Sequence, residues 1–166
     1  KKINKKNCYY AGYFATIPYF GAIHKGTFFY KDKYISLPRT HPLEPDTIHG
    51  EGWINKWKVI KKTKTSIDVM FKHIGKKSFP YKYQVLQKFS LKKNSLIISI
   101  QIKNLDKSTF ECGIGFHPWF FISKYSKIYS NSFLHVKNRK KEFKKKILTK
   151  KNFLDLNKFK LDETFL

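Results

Sequence analysis

Cysteine, arginine and long apolar runs are all scarce in this sequence of 166 residues. The two cysteines, Cys8 and Cys112, lie far apart and form no CxxC or Cys/His ligand spacing. Neither a disulfide framework nor a zinc site is expected, and a reducing, cytoplasmic setting is the default. No apolar run approaches the roughly 20 residues that span a bilayer. The N-terminal lysines are not followed by an apolar signal core, so no membrane partner is expected. No two histidines fall at i, i+2 or i, i+4 beside a carboxylate, which removes the commonest metal-binding pattern. Repeats, heptads, Gly/Ser linkers and convincing amphipathic helices are missing too. What remains is one domain, residues 1–166, large enough to bury a core without staples.

Charge of one sign is abundant, with a formal net charge of +24. Such a balance suggests nucleic acid or an anionic surface. Yet Arg39 and Arg139 are the only arginines, whereas base edges and phosphates are read best by the planar guanidinium. The excess is lysine, read as a solvated surface, and a nucleic-acid partner is not expected. The densest run, Arg139 to Lys146 with Lys150 and Lys151, reads as a mobile basic loop, the alternative being a polyanion patch.

The periodicity present is two. Thr27 to Tyr30 and Tyr34 to Leu37 flank a polar turn at Lys31 to Lys33, as in a hairpin. Trp57 to Lys61 and Ser66 to Phe71 form a second pair. Tyr81 to Leu91, a Lys92-Lys93-Asn94 turn, and Leu96 to Ile102 read as a meander with one buried face. Thr109 to Ile114 is expected to be the next strand, with short ones at Ile128 to Tyr129 and Phe133 to Val136. Sixteen phenylalanines and ten tyrosines suit pleated, half-buried surfaces. Strands in such close succession indicate an all-β sandwich or barrel. The chain starts at Lys1 and stops in a strand-like run, Leu161 to Leu166, so a piece of a longer protein is expected.

Pro38 to Gly52 breaks the alternation. Pro38, Pro42 and Pro45 cannot donate to a ladder, which makes this an ordered extended loop of the kind that carries function. At its end His49 precedes Gly50, Gly52 and Trp53. A second constrained histidine, His117, lies in Gly115-Phe116-His117-Pro118-Trp119-Phe120. Imidazoles beside aromatic rings suit a sugar, whose C–H faces stack on rings while its hydroxyls need polar partners. His24, His41, His73 and His135 read as hydrogen-bonded packing residues.

These motifs resemble the aldose 1-epimerases (mutarotases). Leu37 to Val59, LPRTHPLEPDTIHGEGWINKWKV, is similar to the family stretch in which an LP strand end leads to an HG motif and a tryptophan-rich strand. Phe79 to Phe120 resembles the next section, ending in GFHPWF where the family has GFHPYF. Leu161 to Phe165, LDETF, is similar to an element that supplies a sugar-binding aspartate. The resemblance implies a galactose-mutarotase-like β-sandwich that interconverts the α and β anomers of a free hexose without a cofactor. His117 would be the general acid at the ring oxygen and His49 would hydrogen-bond the same region. Asp162 would bind hydroxyls and Trp119 would line the site. His49 and His117 thus count as both catalytic and substrate-binding.

Two departures accompany the resemblance. The family's base, a glutamate, lies well beyond the LD element, so the C-terminal strands that carry it are expected to lie outside these residues. Gly21 and Ala22 stand where the family has an asparagine and an arginine that contact substrate. The alternatives are a hexose-6-phosphate 1-epimerase of the same fold and a non-catalytic carbohydrate-binding relative.

Overall fold

In the computed structural model of the chain, the described residues are 11–76 and 79–121, and beyond them 123, 125, 126, 128, 129, 134–139, 142–147, 153, 154, 164 and 165. The chain divides into two compact units, Lys1–Trp119 and Phe120–Leu166. Among the described residues, regular structure in both is almost entirely strand. Among the described residues no helix is long and apolar enough to cross a membrane.

The first unit begins with β1 (Tyr13–Thr16), β2 (Ala22–Ile23), β3 (Thr27–Tyr30), β4 (Lys33–Ser36) and β5 (Thr47–Ile48). A short 3-10 turn, His24–Gly26, joins β2 to β3. There follow β6 (Lys58–Lys62), β7 (Ser66–Lys76), β8 (Phe79–Lys92), β9 (Ser95–Asn104) and β10 (Gly115–Pro118). The expected β3/β4 hairpin pairs Tyr30 with Lys33, so its loop is Lys31-Asp32 alone. Both loop residues have positive φ, the backbone a two-residue hairpin needs to match strand twist.

The long meander forms one antiparallel sheet in the order β6-β7-β8-β9. Its inner face follows the period of two. Phe71 and His73 on β7, and Tyr83, Val85 and Gln87 on β8, are buried, while Ile98, Ile100 and Ile102 on β9 are half-buried. Against this face pack Ala15, Ile17, Ile35 and Leu37, completing a core with Phe71, Phe79, Tyr83 and Val85. Burial of each such side chain contributes about 1.5–3 kcal/mol relative to exposure. Edge strand β6 is exposed throughout and carries Lys58, Lys61 and Lys62, charges that discourage pairing with another sheet.

Thr109 to Ile114 is not a strand. It runs as irregular chain, anchored where the Gly113 N–H donates to the Pro18 carbonyl at 2.7 Å and where Phe110 stacks on Tyr81 at 5.3 Å. The strand forms six residues further on, as β10, which pairs antiparallel with β1.

The second unit contains β11 (Ile128–Tyr129), β12 (Leu134–Arg139), β13 (Glu142–Ile147), β14 (Phe153–Leu154) and β15 (Thr164–Phe165). β11 pairs with β14, and β12 lies between β13 and β15. The basic run expected to be a mobile loop is therefore largely strand, with Arg139 paired to Glu142 at the tip of the β12/β13 hairpin. Lys150 and Lys151 lie outside the described residues.

Candidate active site

The β1/β10 ladder sets the geometry. Phe14 and His117 are cross-strand partners, and side chains opposite each other on an antiparallel pair share one face of the sheet. Their rings stack at 4.5 Å between centroids. Trp119, whose N–H donates to the Gly12 carbonyl at 2.8 Å, also stacks on His117, at 5.3 Å.

His49 reaches the same face from β5. Ala22 and Ile23 pair with Ile48 and Thr47, and the ladder ends where His49 and Gly50 turn left-handed, at φ 56° and 63°. A histidine in that conformation costs about 1–2 kcal/mol, so the surroundings must hold it. The His49 N–H donates to the Gly21 carbonyl at 2.9 Å. The Gly21 N–H in turn donates to Nδ1 of His49 at 3.3 Å. An accepting Nδ1 carries no proton, which places the ring's hydrogen on Nε2. Glycine is needed at position 50, because a Cβ there would run into the Ile17 carbonyl.

The two imidazoles meet edge to face at 5.1 Å. Phe14 lies 6.0 Å from His49 and stacks on Trp53 at 5.4 Å, and His41 stacks on Trp53 at 5.9 Å. The indole N–H of Trp53 donates to the Gly50 carbonyl at 3.0 Å. The result is a half-buried pair of histidines set among three aromatic rings. A cleft of about 440 Å3 lies alongside, sharing Phe14 and Trp53 but otherwise lined by residues such as Tyr13, Asn55, Trp57 and Gln87. The histidines do not line that cleft; they lie half-buried beside it.

Of the four residues expected at the site, the structure brings together His49, His117 and Trp119, while Asp162 lies outside the described residues. Sequence reasoning missed Phe14, whose partner strand is remote in the chain. It also missed that Gly21 contacts His49 through its backbone, a role no side-chain motif encodes. Of the other histidines, His24 is exposed and lies 3.3 Å from Asp46 rather than packed. Among the described residues no group of three His, Cys, Asp or Glu is placed to hold a metal ion.

Beneath the site lies a buried polar cluster. Glu51, His73 and Tyr83 are 6 %, 4 % and 0 % exposed. The Tyr83 hydroxyl donates to Oε1 of Glu51 at 3.0 Å, and Nδ1 of His73 is paired with the same oxygen. Nε2 of His73 contacts the Phe79 carbonyl at 2.7 Å. A carbonyl only accepts, so Nε2 carries a hydrogen, and a carboxylate facing Nδ1 favours a second one there. Burial by itself would lower the His73 pKa. The Glu51 hydrogen bond, the Phe79 carbonyl and the Glu51 charge together outweigh burial and a smaller effect of Lys76, and raise it. Burial, and then the Glu51 charge, push the hydroxyls of Tyr83 and Tyr19 well above the ordinary tyrosine range.

An all-sheet chain with this arrangement has the fold of the galactose mutarotases. The likeness is direct in two solved structures. A candidate aldose 1-epimerase from Escherichia coli K12 superposes with a TM-score of 0.72 at 22% identity, over 89% of this chain and 52% of that one. A galactose mutarotase related enzyme from Lactobacillus acidophilus gives 0.65 at 17% identity, over 84% and 49%. The aldose 1-epimerase family profile matches residues 3–164, and the chain belongs to that family. The uncharacterized protein YphB of Escherichia coli K12 is 25% identical over 118 residues, 71% of this chain and 40% of YphB. The chain thus spans about half the length of these solved structures and less than half that of YphB.

Proposed function

We propose that the protein serves the interconversion of α and β anomers of a free hexose, and that His117 and His49 supply the acid side of that reaction. The observation that carries the reading is the meeting of the two rings at 5.1 Å from separate parts of the chain. Anomer exchange needs a proton delivered to the ring oxygen while a base takes one from the anomeric hydroxyl, a role that the family resemblance gives to a glutamate beyond the LD element and not to His49 or His117. The C1–O5 bond opens, the aldehyde turns its other face, and the steps reverse. A group titrating near neutrality can give and retake that proton, the role proposed for His117. The Nε2–H of His49 would donate to the same oxygen and steady its developing charge. Phe14, Trp53 and Trp119 offer faces for the C–H side of a pyranose, and Asp162 is proposed to bind hydroxyls. No oxidation or group transfer occurs, so no cofactor is invoked. Family membership supports a sugar as the partner.

The test is polarimetry of freshly dissolved α-D-glucose, α-D-galactose and α-D-glucose 6-phosphate with the protein. Faster decay with a free hexose supports the proposal. Acceleration confined to the phosphate ester would assign the protein to hexose phosphates. Calorimetric binding of hexose without faster decay would assign it a carbohydrate-binding role.

A further inference from the structure

Glu51 follows His49 and Gly50 directly, yet its side chain turns away from the site face and into the interior, where it meets His73 of β7 and Tyr83 of β8. Its backbone is fixed as well. The N–H groups of Glu51 and Gly52 both donate to the Ile17 carbonyl, at 2.8 and 3.1 Å, and the Glu51 carbonyl accepts from Nδ2 of Asn55 at 2.8 Å. Upstream, the Thr40 hydroxyl brackets Ile48, donating to its carbonyl at 2.6 Å and accepting its N–H at 2.9 Å. The left-handed pair His49-Gly50 is therefore clamped at both ends.

A buried ion pair is a poor way to gain stability, since apolar residues of the same volume often do as well or better. In some proteins a buried pair instead favours one placement of its groups, because removing either partner leaves an uncompensated charge in the interior. Here that placement sets the residue two positions from His49. We propose that Glu51, locked by His73 and Tyr83, is a positioning residue for His49, fixing the left-handed turn that keeps Nδ1 on the Gly21 N–H and Nε2–H toward substrate. This rests on the reading of His49 as a sugar-binding donor. Among the described residues, the groups that act on His73 and Tyr83 include the carboxylate of Glu51, the Phe79 carbonyl, the hydroxyl of Tyr19 and the ammonium of Lys76. Glu51 touches no substrate in this account and acts through the imidazole next door.

The experiment uses the protein at its full natural length and two readouts. The first is the 15N signals of the His49 ring. Wild type should show one neutral form with hydrogen on Nε2, and Glu51→Gln should show both neutral forms in exchange, with the Phe14/His117 ladder signals unmoved. The second is anomer exchange of D-galactose. Glu51→Gln should slow it on the order of tenfold to a hundredfold, and should cause no further loss in a His49→Ala background. Tyr83→Phe removes one hydrogen bond and keeps the ring, so it provides a milder variant with the same pattern should Glu51→Gln fold poorly. Unchanged His49 signals in Glu51→Gln, or an equal loss with and without His49, would overturn the proposal. If neither His49→Ala nor His117→Ala alters exchange, the functional reading fails instead, and the ring signals still decide the role of Glu51.

Discussion

The backbone N–H of Gly21 donates to Nδ1 of His49 at 3.3 Å. In the sequence, Gly21 reads as a loss, standing where the family resemblance leads one to expect asparagine. In the structure its main chain grips His49 from both sides, and its φ of 71° is a left-handed value. Asparagine tolerates that region better than other residues with a Cβ, and a Cβ at position 21 meets nothing within 4 Å. Gly21→Asn is expected to cost less than about 1 kcal/mol of stability in urea unfolding. Gly21→Val, β-branched and forced left-handed, should cost more than about 1 kcal/mol in urea unfolding.

The His73–Glu51 pair gives stability a pH signature. The folded pKa of His73 is raised, so its contribution is fully present below the unfolded value of about 6.5 and is lost as pH rises through the folded pKa. Urea midpoints measured from pH 5.5 to 9 should fall across that window. His73→Gln should flatten this part of the curve. His73→Ala, which leaves the Glu51 charge buried without its cation, should cost about 3–5 kcal/mol.

Thr16 is 2 % exposed, and its hydroxyl finds no hydrogen-bond partner among the described residues. A buried unpaired hydroxyl costs roughly 1–3 kcal/mol. Thr16→Val should therefore be neutral or stabilising by about 1 kcal/mol, read as a higher urea midpoint at unchanged slope. A loss of more than about 1 kcal/mol would show that the hydroxyl is bonded.

Phe79 is 2 % exposed and packs edge to face against Tyr83 at 5.8 Å and Phe110 at 5.5 Å. Phe79→Ala should cost about 3–5 kcal/mol through lost transfer energy and the cavity left behind. Because its carbonyl also holds His73, the structural effect is to be separated by comparison with Phe79→Leu, expected to cost far less.

The long meander was legible because β7, β8 and β9 alternate over ten or more residues with local turns between them. The two-residue strands β2 and β5 carry no periodicity, and they form only because Ala22 and Ile48 meet across the proline-rich loop. The same holds for β1, whose partner β10 is remote. Thr109 to Ile114 carries strand-forming residues, but its backbone bonds to Pro18 instead of to a ladder. Of the site, the two motif histidines are readable from their glycine and proline neighbours, and Trp119 follows only from the family resemblance. Phe14 and the Gly21 contact are not readable, since nothing local marks a residue whose role is set by a distant backbone. His73 reads from the sequence as a packing histidine, and it is one, stacked on Tyr83 at 5.0 Å. Its partnership with Glu51 depends on the turn after His49 and has no spacing signature.

The most direct test of the account is two-dimensional exchange NMR between the α and β anomers of D-galactose, with wild type and His117→Ala compared at equal concentration near neutral pH. The account expects exchange well above the buffer rate with wild type, and a fall of about a hundredfold or more in the enzymatic part on removing the imidazole. Wild-type acceleration that survives intact in His117→Ala would contradict it.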